Sequence, residues 1–258
     1  MKLPTIDQPT YTVQLLFRDE PVKIRPFLVK EQKIMMMAVE ANDVDSTIRA
    51  IKQIITNCLL ESINVDTLPL ADLETLFLNL RARSMGEVLS LYFKCTNKVI
   101  VPLAPGQVMI GGMGAPVHNY ADCGMVIEVP VNLLTDVKQI NNNYPKKIML
   151  TEDVGVVMRY PSIDLIDRLL KKNDSQIVYT VIASCIEQVF DKNGVYKAVD
   201  ATPEEMAIFV ENLPSDKIEK LEEFVENVPK SKFETLKKCS KCGYEHKFVL
   251  EGLNDFFT

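Results

Sequence analysis

Apolar positions along the chain recur with two periods, and the switches between them outline the elements. Tyr11 to Phe17 and Val22 to Phe27 are β-prone runs separated by Arg18-Asp-Glu-Pro21, which predicts a hairpin. From Lys30 to Ala41 the period becomes helical, with Ile34, Met35, Met37, Ala38 and Ala41 in step. Asp43-Val-Asp-Ser46 breaks that pattern and caps a second helix reaching Leu60, with Ile48, Ile51, Ile54, Ile55 and Cys58 on one face. A third helix follows Pro69. Leu70, Leu73, Leu76, Phe77 and Leu80 form its stripe, and Arg81, Arg83 and Ser84 stand at its end, where cations suit the helix dipole.

Val88 to Lys94 then reads as a strand running into Cys95, and Met125 to Val131 as a strand leaving Cys123. The segment between, Thr96 to Asp122, is rich in Gly and Pro and reads as an insertion looped out between the two halves of one knuckle. Lys146 to Leu150 and Val154 to Tyr160 are further β-type runs, the second stopped by Pro161. Ile163 to Phe190 is expected to be helical, broken at Asn173-Asp-Ser175, and Asp191-Lys-Asn-Gly194 is a turn. Thr202-Pro-Glu-Glu205 carries a capping residue, Pro at the first helical position and Glu at the third. Helices over Pro203 to Leu213 and Ser215 to Val228 follow, and Phe233 to Lys238 and Lys247 to Leu250 flank a last cysteine pair. The expectation is an α+β protein of helical segments, β-hairpins and a split zinc-ribbon-like module. Residues 1–86 would hold the first hairpin and helices. Residues 87–131 and 232–258 would form the module, with the 96–122 insertion, and residues 132–231 would hold the remaining strands and helices.

The module is the candidate for chemistry. Cys239-Ser-Lys-Cys242-Gly243 lets two thiolates meet one ion, with Gly relieving the turn. Zinc takes four ligands, and Cys95 and Cys123 complete the set, Cys123 being followed by Gly124 as Cys242 is by Gly243. Excising the insertion would leave Cys95 and Cys123 at the short spacing of the second pair, and a long excursion costs only logarithmically in closure entropy. Four readings compete: a structural four-cysteine zinc site, an unmetallated relic of one, a redox dithiol, and a site where His118 or His246 replaces a cysteine. No thioredoxin-like strand-to-helix setting surrounds the pair, which disfavours the dithiol. Cys58 and Cys185 sit inside helical patterns as small hydrophobes.

Composition narrows the rest. Of the 258 residues, 47% are hydrophobic and 25% charged, enough for a sizeable core in a soluble chain. A net charge of −6 argues against broad binding to nucleic acid or anionic membrane. No apolar run approaches a membrane span, the first residues lack a signal peptide's apolar core, and cysteine usage fits a reducing compartment. With two histidines and no phosphate-binding loop, no catalytic constellation assembles, so no enzymatic activity is expected. The Met35-Met36-Met37 run reads either as an adaptable binding surface or as core with an exposed shoulder. Leu250, Leu253, Phe256 and Phe257 would pack on the module or dock into another subunit.

Several stretches together resemble the baseplate hub and hub-assembly proteins of T-even-type contractile-tailed phages. These are Val22-Lys-Ile-Arg-Pro-Phe-Leu-Val-Lys-Glu-Gln-Lys33, Leu80-Arg-Ala-Arg-Ser84 leading to Tyr92-Phe-Lys-Cys95, Arg159-Tyr-Pro161, and Cys239-x-x-Cys-Gly243 through Phe257. The chain departs from that pattern at the first cysteine pair, where a second cysteine is expected near Lys98 and the insertion intervenes. The resemblance implies a non-enzymatic role in building the central hub, in the host cytoplasm. The protein would act as a hub component or as a chaperone for hub or tape-measure proteins. Arg25 and Lys30 would then face a partner, together with Phe256 and Phe257. The rival is a zinc-ribbon regulator contacting nucleic acid or polymerase through Lys237, Lys238, Lys241 and Lys247.

Overall fold

The computed structural model describes residues 6–41, 43–101, 119–141, 143–163, 165, 177–252 and 255. It is a mixed helix and sheet protein built from small antiparallel sheets around three apolar clusters. The first cluster gathers the hairpin β1 (Tyr11–Val13) and β2 (Val22–Ile24) with α1 (Val29–Ala41), α2 (Val44–Cys58) and α3 (Leu70–Met85). Asp43 caps α2 through the Ser46 N–H at 2.7 Å. The isoleucine stripe of α2 and the leucine stripe of α3 meet as their spacing predicts, Ile54, Ile55, Leu73 and Leu76 being fully buried.

α3 is buried on several sides at once. Leu73, Leu76, Phe77 and Leu80 face the first cluster, while Leu78 and Ala82 face the cysteine cluster. Two buried carboxylates near its start reach in different directions. Asp72 accepts the Leu16 N–H at 2.7 Å and the Phe17 N–H at 3.3 Å. Glu74 accepts the Ser231 N–H at 2.6 Å from β12 (Lys230–Lys238). The N-terminus of α3 is tied to the third cluster, because the Leu70 N–H donates to the Pro161 carbonyl at 3.1 Å.

That third cluster packs α4 (Ile177–Cys185), α5 (Pro203–Glu211) and α6 (Ser215–Glu226) on a four-stranded sheet. The sheet runs β11 (Gly194–Lys197), β10 (Ile186–Asp191), β9 (Gly155–Met158), β8 (Lys147–Met149). Thr202 and Glu205 make the reciprocal capping box on α5. Phe17, Tyr160 and Phe224 form an aromatic column joining the first and third clusters, with centroids 4.6 Å and 5.4 Å apart, and Lys146 sits over the Tyr160 ring at 4.7 Å.

Two expectations are corrected. Ile186 to Phe190 is strand rather than helix: it pairs with β9, and the Phe190 ring lies where a Cβ on Gly155 would stand. The insertion is not wholly looped out, since β4 (Lys98–Val101) pairs with β5 (Asn119–Asp122) at its base. A strand without a sequence signal, β7 (Lys138–Ile140), adds to β12 on the edge opposite β13 (Glu245–Glu251). The break at Asn173-Asp-Ser175 lies outside the described residues.

Arg25, expected to face a partner, points inward. Its guanidinium lies 3.1 Å from Glu31 and also donates to the Asn57 carbonyl at 2.7 Å, the two side chains being 14% and 0% exposed. Lys30 is exposed. Burial alone would raise the Glu31 carboxyl, but Arg25 and the Leu28 N–H outweigh it and hold it below its ordinary 4.5. A depressed carboxylate contributes stability above the unfolded-state value that is lost as pH falls through the folded one. The stability gap between wild type and Glu31→Gln, measured by urea unfolding, is therefore expected to be full at neutral pH and to close below 4.5. Arg25→Ala, which leaves the buried Glu31 only the Leu28 N–H at 2.9 Å and the exposed Lys30 at 3.6 Å, is expected to cost about 1.5–3 kcal/mol.

Candidate metal centre

Two strand pairs carry the four cysteines. In the first, β3 (Val88–Lys94) pairs with β6 (Val126–Asn132); in the second, β12 pairs with β13. Alternation puts Leu89, Leu91, Phe93, Ile127, Val129 and Val131 on the inner face of the first, opposite Phe233, Phe248 and Leu250 of the second. Phe93 and Phe248 meet at 4.6 Å.

The ends of these hairpins repeat one backbone design. The Cys95 N–H donates to the Met125 carbonyl and the Cys239 N–H to the Tyr244 carbonyl, both at 2.8 Å. The Gly124 N–H returns to the Cys95 carbonyl at 3.0 Å, and the Gly243 N–H to the Cys239 carbonyl at 2.9 Å. Gly124 and Gly243 have φ of 67° and 72°, the left-handed region that disfavours side chains. Cys95 thus corresponds to Cys239 and Cys123 to Cys242. The Cys123 N–H donates to the Asn97 carbonyl at 2.8 Å, closing the neck of the insertion so that the knuckle survives it.

The four sulfurs converge. Cys95 lies 3.7 Å from Cys242 and Cys123 lies 3.7 Å from Cys239, and all four sulfurs fall within 4.8 Å of one another. Thiolates about 2.3 Å from a tetrahedral ion would stand about 3.8 Å apart, so this donor set fits such an ion. Cys95, Cys123 and Cys239 are buried and Cys242 is partly exposed. Burial pushes the Cys95 thiol up to about 12. At Cys123 the Met125 N–H favours the thiolate, yet burial and the sulfurs of Cys239 and Cys242 outweigh it and raise the thiol. The Tyr244 N–H, helped by Asn97, brings Cys242 down to about 6. Sulfurs held this close without a cation repel once ionised, and a divalent ion would replace their protons. Cys58 and Cys185 stand apart, buried, with thiols raised by desolvation to about 11 and about 12.

His246, a candidate to replace a cysteine, stands beside the four sulfurs. Its Nε2 lies 3.1 Å from the Cys95 sulfur, and its ring packs between Tyr244 and Phe248. Sequence alternation already places His246 on the face shared with Phe248 and Leu250, but no spacing rule ties it to Cys95. Asn97, 3.6 Å from the Cys242 sulfur, carried no sequence signal. His118, Phe256 and Phe257 lie outside the described residues.

Fold and site together define a mixed helix–sheet protein carrying a closed four-sulfur centre, and no described helix is long and apolar enough to cross a membrane. The chain belongs to the family described as T4 bacteriophage base plate protein, which matches residues 8–258. No curated protein and no solved structure matches it. Membership supports a structural role in the phage tail and baseplate, alongside other baseplate proteins.

Cys123→Ser is expected to lose bound metal and to lower the thermal midpoint, read by metal analysis and calorimetry; retention of both would remove Cys123 from the ligand set. Gly243→Ala meets no atom within 4 Å, so its expected cost is the backbone penalty alone. That penalty is about 1–2 kcal/mol by urea unfolding, with Gly243→Asn milder.

Proposed function

We propose that this protein is a non-enzymatic component or assembly chaperone of the baseplate central hub, with one structural zinc held by Cys95, Cys123, Cys239 and Cys242. The family match across residues 8–258 carries this reading. The sulfur geometry supports it, because four thiolates around one ion leave no open position for substrate or water. Zinc would join two hairpins far apart in sequence into one body able to present fixed surfaces to hub or tape-measure proteins. Assembly of this kind takes place in the cytoplasm of the infected host.

The charge arrangement on the second hairpin weighs against a nucleic-acid regulator. Lys247 pairs with Glu234 at 2.6 Å, Lys238 lies 4.0 Å from Glu245, and Lys241 donates to the Cys123 carbonyl at 3.1 Å. Lys232 bridges Glu234 and Glu251, each at 3.3 Å. Counter-ion release needs lysines free to meet phosphates, and of the four the regulatory reading invokes, Lys238, Lys241 and Lys247 already have partners while Lys237 has none among the described residues.

Affinity capture of the tagged protein from infected cells, read by mass spectrometry, is expected to return baseplate hub or tape-measure proteins. Filter binding to duplex DNA at two salt concentrations is expected to show no salt-sensitive affinity. Capture of polymerase with salt-sensitive DNA binding would replace this reading with the regulatory one.

A further inference from the structure

The run Met35-Met36-Met37 is split by α1. Met35 is buried against the first cluster, whereas Met36 is 54% and Met37 69% exposed. Val29 and Val39 are also exposed, so four large apolar side chains stand on the solvent side of a 13-residue helix. α6 shows what a solvated face looks like here: its exposed residues include Asp216, Glu219, Lys220, Glu223 and Glu226, all charged. The outward charges of α1 are few and placed. Lys30, at its start, is exposed and lies 3.6 Å from Glu31 of its own chain. Lys33 and Glu40 are exposed, and neither has an ion-pair partner among the described residues. They stand two turns apart, about 10.5 Å along the axis, too far to pair on one helix.

Their placement is self-complementary. Lys33 lies as far before the midpoint between Met36 and Met37 as Glu40 lies after it. We propose that this face of α1 is an isologous docking surface on which a second copy of this chain packs its own α1 antiparallel. A two-fold axis through the Met36–Met37 midpoint sets these methionines against their counterparts. It also brings each Lys33 to the partner copy's Glu40 on both flanks, two ion pairs from one surface. Methionine suits the centre, since its flexible thioether adapts to a facing copy of itself. One helix face is a small interface, so the pairing is weak and concentration-dependent, with a dissociation constant on the order of 10–100 µM. This proposal is independent of the hub assignment and of the metal.

Sedimentation velocity of the full chain over a concentration series tests it, with circular dichroism confirming that each variant stays folded. The expected result is a reversible monomer–dimer equilibrium. Met36→Glu with Met37→Glu should weaken it at least about tenfold, or 1.4 kcal/mol. Lys33→Glu alone should weaken it, and Lys33→Glu with Glu40→Lys should restore it. A chain that is monomeric up to about 500 µM overturns the proposal. So does a dimer indifferent to the methionine changes, a double charge reversal that fails to restore pairing, or a monomer that uses this face for a different baseplate protein.

Discussion

The structure depends on burying two carboxylates on one helix. Asp72 and Glu74 are each 1% exposed at the start of α3, a position costly for a charge unless hydrogen bonds satisfy it. Each accepts backbone N–H groups from a different part of the chain: Leu16 and Phe17 after β1, and Ser231 in β12. Burial still raises the Asp72 carboxyl despite its two donors, so this anchor fixes position more than it adds stability. The helix consequently cannot shift against either neighbour without stranding a charge. Through the Leu70–Pro161 bond its N-terminus also holds the turn on which Tyr160 stacks with Phe17 and Phe224.

From that platform the cysteine hairpins inherit their spacing. Leu78 and Ala82 on the far side of α3 pack against the inner faces that carry Val129, Val131, Phe233 and Leu250. Apolar packing thus brings the hairpins together, and the mirrored turns at Gly124 and Gly243 aim the sulfurs at a common point. What packing cannot do is remove the mutual repulsion of ionised thiols, and it raises Cys95 while the Tyr244 N–H lowers Cys242. A cation bound by the four sulfurs would resolve that conflict. His246, at 3.1 Å from the Cys95 sulfur, offers a ring nitrogen able to orient that ligand, as metal-site partners outside the ligand set commonly do.

Much of this was legible because it is local. The isoleucine and leucine stripes, the Asp43 cap, the Thr202–Glu205 box and the pairing of Cys123 with Gly124 are decided within a few residues. The sites missed are those decided across the fold. Ile186 to Phe190 has the apolar density of a buried helix, and only the edge offered by β9, with Gly155 under Phe190, makes it a strand. Arg25 reads as an exposed cation until Glu31 is found buried beside it, and β7 has no alternation of its own before β12 supplies an edge. The proximity of His246 and Asn97 to the sulfurs is likewise a product of convergence, not of spacing.

Sequence separation also orders the events of folding. Cys95 and Cys242 are 147 positions apart and Cys123 and Cys239 are 116 apart, so the four-sulfur centre is among the least local contacts in the molecule. The first hairpin with α1 to α3, by contrast, closes over short loops, which form early because little chain entropy must be lost before contacts reward it. α3 would then be in place, with Leu78, Ala82 and Glu74 exposed as a template, before β12 and β13 arrive. The sulfur centre closes together with that docking, since the Glu74–Ser231 contact spans 157 positions, as distant a pairing as the sulfurs themselves. A metal captured there would reward the completed arrangement alone, since half a knuckle pair offers two thiolates and would bind weakly. In a particle assembled from many rigid parts, a chain whose last tie depends on nearly all of it being correctly folded enters assembly in one shape.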